Sequence, residues 1–206
     1  LWWLCSHVLG ALDPFVAMRD CEDEIKNDST IKSLRDAVPQ DAVVCVVGWP
    51  TTVLNALATR SDVKLFVVES NGDGDAAVER LVSMDVDATL VQFEELARAI
   101  SSCDVLIVEA LAAGPTEVLC SSGSHALAAL GYVMQKPLWL VAACGTRLPA
   151  PLWSAMIAGD AINEVDLLSS SLFSRVIFKD GLSEDLSQPF AAECPPTTEL
   201  LRHSAM

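Results

Sequence analysis

Basic residues are scarce in this chain: 13 Lys and Arg stand against 28 Asp and Glu over 206 residues, a formal net charge of −15. Nonspecific nucleic-acid binding needs clustered cations to neutralise phosphates, so the balance argues against a direct nucleic-acid partner. No apolar run is long enough to span a bilayer. The opening LWWLCSHVLGAL is interrupted by Asp13-Pro14 and lacks the positive start of a signal peptide, which points to a cytoplasmic protein without a membrane partner. Its first residue is Leu rather than Met, which leaves a fragment or a processed product open. Seven cysteines occur, with no CxxC pair and no zinc-like spacing, and the odd count speaks against a full disulfide framework. His7 and His203 lie toward the ends and His125 at a helix start, so no His-based triad or metal cluster can be assembled. No GxSxG elbow, internal repeat or low-complexity tract appears.

Half the residues are apolar (51%), ample for a core. Cys45 and Cys144 lie inside apolar runs and read as small buried hydrophobes of a reducing compartment. From Asp41 onward, short apolar runs alternate with helical patterns. Strands are expected at 42–48, 64–70, 87–92, 104–110 and 138–143, with helices at 51–60, 75–84, 93–100 and from Ser124 to Met134. In that last helix Ala126, Leu127, Leu130, Val133 and Met134 form one apolar face, and Lys136-Pro137 ends it. The alternation predicts an α/β domain over 41–206, a mostly parallel Rossmann-like sheet with helices on both faces. Residues 1–40 form a helical N-terminal arm, with Asp28-Ser29-Thr30 capping the segment IKSLRDAV. SRVIFKD (174–180) is expected as one more strand, Leu182 to Phe190 as a polar loop, and the double proline near the end introduces a short helix.

Ligands of such sheets sit outside the carboxyl ends of the strands. Two turns there can seat an anion. Thr51 and Thr52 open a helix after the first strand, and Gly123 and Ser124 open another with free N–H groups. No Lys or Arg lies near Thr51-Thr52, so affinity for a dianion should be modest. The ordinary alternative is that both are simply well-capped helices. Gly72-Asp73-Gly74 with Ala77 matches a dinucleotide fingerprint, but Asp73 and Asp75 would repel a pyrophosphate, and a solvated turn is the better reading. No cofactor is implied.

The order VVGWPTTVLNAL, FVVES, DVLIVEALAAGPTEVLCSSGSHALAALG and KPLWLVAACGTRLP resembles the alpha/beta/delta subunit family of eukaryotic translation initiation factor 2B, and most its beta subunit. The superfamily also holds methylthioribose-1-phosphate and ribose-1,5-bisphosphate isomerases. Gly48-Trp49 with Thr52-Val53 is similar to the family's glycine–aromatic turn, and Gly123-Ser124-His125 to its Gly-Thr-His helix start. Cys194-Pro195-Pro196 with Glu199-Leu200 is similar to its closing Pro-Pro-Glu-Leu stretch. The likeness runs from Asp41 to Pro149. The resemblance implies a longer N-terminal helical domain, of which only the first forty residues could be part.

By the same resemblance, the isomerases carry a proton-transferring cysteine and aspartate where this chain has Gly48 and Leu111. The family's Asn-Lys becomes Cys120-Ser121, and an Arg after the second strand becomes Asn71. These departures imply a non-catalytic, regulatory or structural subunit of an assembly promoting guanine-nucleotide exchange on initiation factor 2. Its partners would be related subunits and that factor, in a homo- or hetero-oligomer. A sugar-phosphate isomerase and a stand-alone module for a phosphorylated ligand are the alternatives. Trp2, Trp3 and Trp153 fall in less regular segments and are expected at the contact surface, unless the arm folds back over its own domain.

Overall fold

The computed structural model describes residues 1–158, 165–186 and 190–203. Three helices come first: α1 (Trp2–Gly10), α2 (Pro14–Lys26) and α3 (Thr30–Ala37). Asp13 and Pro14 start α2 rather than merely ending α1. The Asp13 carboxylate accepts from the N–H groups of Phe15 and Val16, and proline's fixed φ suits the first turn. Asp28 in turn accepts from the Thr30 N–H and hydroxyl at the head of α3.

The alternating region then follows: β1 (Val43–Val47), α4 (Thr51–Leu57), β2 (Lys64–Val68), α5 (Asp73–Val82), β3 (Asp87–Val91), α6 (Leu96–Ser101) and β4 (Val105–Ala113). After these come β5 (Glu117–Ser121), α7 (Ser124–Val133), β6 (Leu138–Val141), α8 (Ala150–Ile157), β7 (Val165–Ser169), β8 (Arg175–Phe178), β9 (Gly181–Ser183) and α9 (Thr198–His203). The main path of the sheet runs β3-β2-β1-β4-β6-β8-β9, parallel up to β8 and antiparallel at β9. β5 returns antiparallel along the far end of β4, and β7 pairs with β5.

Alternation along each strand separates two cores. On one face Val44, Val46, Leu65, Val67, Ile107 and Trp139 pack under α3, α4 and α5. On the other, Cys45, Val47, Leu106, Val108 and Leu140 pack under α6 and α7. Each fully buried Leu or Val contributes about 1.5–3 kcal/mol, so helices must cover both faces.

Several expectations need correction. β5 and β7 fall outside the βα rhythm. No element was expected over Glu117–Ser121, yet it folds back on β4 because Gly114-Pro115 turns the chain and backbone groups there need partners. The stretch from Leu182 starts inside β9 rather than in a loop, and its positions 187–189 lie outside the described residues. On α7, Val133 is 75% exposed while Leu127, Ala128 and Gly131 are buried. The inner face is rotated toward Gly131, where any Cβ would meet the Leu106 side chain at 2.5 Å. Cys144 is only half-buried, although Cys45 is fully enclosed.

The tryptophans expected at a contact surface are packed within the chain itself. Trp3 is 3% exposed, lies against Gly145, and donates its indole N–H to the Glu193 carbonyl. Trp153 is buried against Gly114, and Trp2 is half-buried. Together with Cys21, Leu148, Leu152 and Cys194 they make a third core, which joins the arm to the C-terminal segment.

Candidate functional site

β1 and β4 lie side by side, but the chain leaves them in opposite directions: α4 leads toward β2, and α7 leads toward β6. The crevice between their carboxyl ends is where ligands of this architecture bind. Gly48 closes β1 in a left-handed conformation (φ 62°), with its N–H bonded to the Val68 carbonyl. The left-handed backbone favours glycine there. Both candidate turns reach this edge. Gly123, also left-handed at φ 94°, packs against Val47, and the Ser70 hydroxyl donates to the Ser122 carbonyl at 2.8 Å.

Of the donors expected to face an anion, Thr52 is engaged by one of the chain's own carboxylates, and so are the N–H groups of Val53 and His125 just beyond the two turns. Glu109, on β4, accepts from the Thr52 N–H at 2.8 Å, the Thr52 hydroxyl at 2.6 Å and the Val53 N–H at 3.3 Å. Asp166, on β7, accepts from the His125 N–H at 2.8 Å. Neither helix start is capped by a hydroxyl of its own, contrary to the sequence expectation. Thr51 is exposed and Ser124 fully buried.

Beside Gly123 opens a cavity of about 390 Å³. Its lining includes Glu69, Ser70, Asn71, Phe93, His125 and Asp166, and no Lys or Arg contributes to it. Glu69 accepts from the Gly72 N–H at 2.7 Å. The turn at Gly72-Asp73-Gly74 is therefore fastened to a carboxylate rather than open toward a pyrophosphate. The carboxylates in the lining of this cavity are Glu69 and Asp166.

Burial raises the Glu109 carboxyl above its ordinary value, and the bonds from Thr52 and Val53 pull against that rise. Nearby, burial first, then the charges of Asp166 and Glu109, push the Cys120 thiol up to about 12. A thiol so high is no nucleophile at neutral pH. The same holds for Cys144, pushed up to about 12 by burial and by Glu193 and Glu24. Iodoacetamide at neutral pH should therefore leave both unlabelled in the folded chain and label them after denaturation, as read by peptide mass spectrometry. Labelling of native Cys120 at the denatured rate would contradict this.

Of the two positions singled out against the isomerases, Gly48 lies at the crevice. Leu111 sits where the β4–β5 register shifts, and it is 55% exposed. Neither side chain can transfer a proton. Among the described residues no group of three or more His, Cys, Asp or Glu is placed to hold a metal ion, and no helix is long and apolar enough to cross a membrane. Glu109 and Asp166 were not singled out by sequence reasoning. Glu109 had a signal, being the one charge inside the run VLIVEALAA. Asp166 had none, since 41 residues separate it from His125.

No family model matches the sequence, and no curated protein does. Solved structures share its fold. The eIF2B beta subunit from Chaetomium thermophilum superposes with a TM-score of 0.66 at 15% identity, over 82% of this chain and 54% of that one. The translation initiation factor eIF-2B from Pyrococcus horikoshii OT3 gives 0.71 at 11% identity, over 90% and 75%. The delta subunit of eIF-2B from A. fulgidus gives 0.65 at 12% identity, over 89% and 68%. At these identities the likeness is one of fold, and the chain spans about half the length of the C. thermophilum beta subunit.

Proposed function

We propose that this chain is a non-catalytic subunit of an initiation factor 2B-like assembly. It acts there as scaffold and regulatory surface while another subunit promotes nucleotide exchange on initiation factor 2. Related beta- and delta-type subunits are its partners, and the cytoplasm is its place of action. The observation that carries this reading is the crevice, on a fold shared with those subunits. At its helix starts Glu109 holds the N–H groups of Thr52 and Val53 and Asp166 holds that of His125, and no Lys or Arg lines its cavity. An isomerase needs an acid and a base facing the substrate. Here the carboxylate on β4 is held in three hydrogen bonds instead. The same arrangement works against Thr51, Thr52, Gly123 and Ser124 seating a phosphorylated ligand.

Two measurements test the proposal. The purified chain should show no turnover of methylthioribose-1-phosphate or ribose-1,5-bisphosphate above a heat-killed control. Affinity purification from the native cell should recover initiation factor 2B-type subunits in constant ratio to the chain. Turnover of either sugar phosphate would reject the non-catalytic reading. Recovery of the chain free of such subunits would reject the assembly.

A further inference from the structure

Asn71 is the one asparagine of the chain that glycine follows. The pair makes the turn between β2 and α5. Asn71 has φ 54° and Gly72 φ 87° with ψ 3°, and the Ser70 carbonyl accepts from the Asp73 N–H at 3.0 Å. This is the left-handed two-residue turn that Asn-Gly favours. Both residues are exposed, and Asn71 lines the cavity with Glu69 and Asp166.

An asparagine side chain carries an electrophilic carbon, Cγ, within reach of the backbone nitrogen that follows it. A side chain on the next residue hinders that approach, and glycine has none. The amide of Asn71 is also unheld, since no group among the described residues hydrogen-bonds to it. The other described asparagines differ on both counts. Asn27 donates to the Asp23 carbonyl at 2.7 Å and precedes Asp28, whose N–H is bonded to the Ile25 carbonyl. Asn55 accepts from the Arg80 guanidinium at 2.8 Å and precedes Ala56, which is fully buried within α4. Asn163 lies outside the described residues.

We propose that Asn71 is a site of spontaneous covalent modification, converted to aspartate and isoaspartate through a succinimide ring. The Gly72 nitrogen bonds to Cγ of Asn71 and gives up its proton. The Cγ–Nδ2 bond breaks, and ammonia leaves with that proton. Water then opens the ring. Cleavage at Cγ yields aspartate in an unaltered backbone. Cleavage at the other carbonyl yields isoaspartate, whose backbone runs through Cγ and is longer by one methylene. Either product adds a carboxylate to the cavity beside Glu69 and Asp166, and isoaspartate also lengthens the turn that leads into α5. Glu69 sets the pace, because its carboxylate accepts from the Gly72 N–H at 2.7 Å. A carboxylate is too weak a base to take a backbone amide proton, so this bond restrains the nitrogen rather than activating it. The chemistry belongs to the turn and is independent of any assembly.

Peptide mass spectrometry and enzymatic isoaspartate labelling follow the purified chain as it ages at neutral pH, with denatured chain aged beside it as the clock. When half of Asn71 in the denatured chain has converted, the native chain should show conversion at Asn71 at least about tenfold above that at Asn27 or Asn55. Asn71→Gly should abolish the acidic species that accumulates on isoelectric focusing. Glu69→Ala should raise the native rate at Asn71 by about fivefold, the equivalent of one net hydrogen bond. Glu69→Gln, which keeps an acceptor for the Gly72 N–H, should raise it less. Circular dichroism verifies that each variant is folded. Conversion no greater at Asn71 than at Asn27 and Asn55 in the native chain overturns the proposal. A rate that Glu69→Ala leaves unchanged or lowers overturns the restraint by Glu69.

Discussion

Glu193→Ala should cost about 3–5 kcal/mol of folding stability, the cost of leaving a buried charge without its partner. Glu193 has a side chain only 3% exposed. One carboxylate oxygen accepts from the Gly145 and Arg147 N–H groups, and the other from the Arg147 guanidinium at 3.0 Å. Arg147 is itself buried, stacked over Phe178 at 4.4 Å, with its Nε unpaired. Its other acid, Asp180, lies 3.8 Å away and is largely exposed, so it cannot replace Glu193. Lys179 pairs with Glu24 of α2 and lies 4.0 Å from Glu193. The cluster therefore ties the arm, the loop after β6 and the C-terminal segment together. Chemical denaturation measures the loss. Arg147→Met should be similarly costly, and the double variant should cost clearly less than the two together, because it strands neither charge. Strict additivity would mean that the pair does not couple.

Glu109→Ala should cost about 1–3 kcal/mol, since it strands the N–H groups of Thr52 and Val53 at the start of α4. Glu109→Gln should behave differently. Its amide oxygen keeps the two N–H bonds, and its NH2 can donate to the Thr52 hydroxyl. The folded-state pKa of Glu109 is raised, chiefly by burial. The folded chain thus holds the proton more tightly than the unfolded one. The carboxyl's contribution to stability falls as pH rises from the unfolded value through the folded one, and it recovers on acidification. Relative to the native protein, Glu109→Gln should gain stability as pH rises from about 4 to 7. Denaturation of both proteins at stepped pH reads the difference directly. A Gln variant that loses ground with rising pH would mean that the charged cap, favoured by the helix start, outweighs its desolvation.

The run VVCVV was legible as a strand because every residue in it is apolar and β-prone, and a strand covered on both faces has no other use for polar groups. α5 was legible from Ala77 and Leu81 on its inner side against Asp75 and Glu79 on its outer side. The glycines at 48 and 123 marked turns by their type, and both adopt left-handed angles. Local chemistry of this kind acts over a few residues, so it leaves its imprint on adjacent positions. The alternating order of the elements followed from it, and with that the parallel sheet and its two helical layers.

What fills the crevice is decided at longer range. Glu109 meets Thr52 across 57 residues and Asp166 meets His125 across 41, through the pairing of β4 beside β1 and of β7 on β5. Trp3 finds its partners at Gly145 and Glu193 for the same reason. A sequence states which side chains are able to accept a hydrogen bond or fill a space. Only the folded chain brings a given acceptor to a given donor, because an unpaired buried group costs about as much as the bond it lacks and the tertiary packing determines which pairs form.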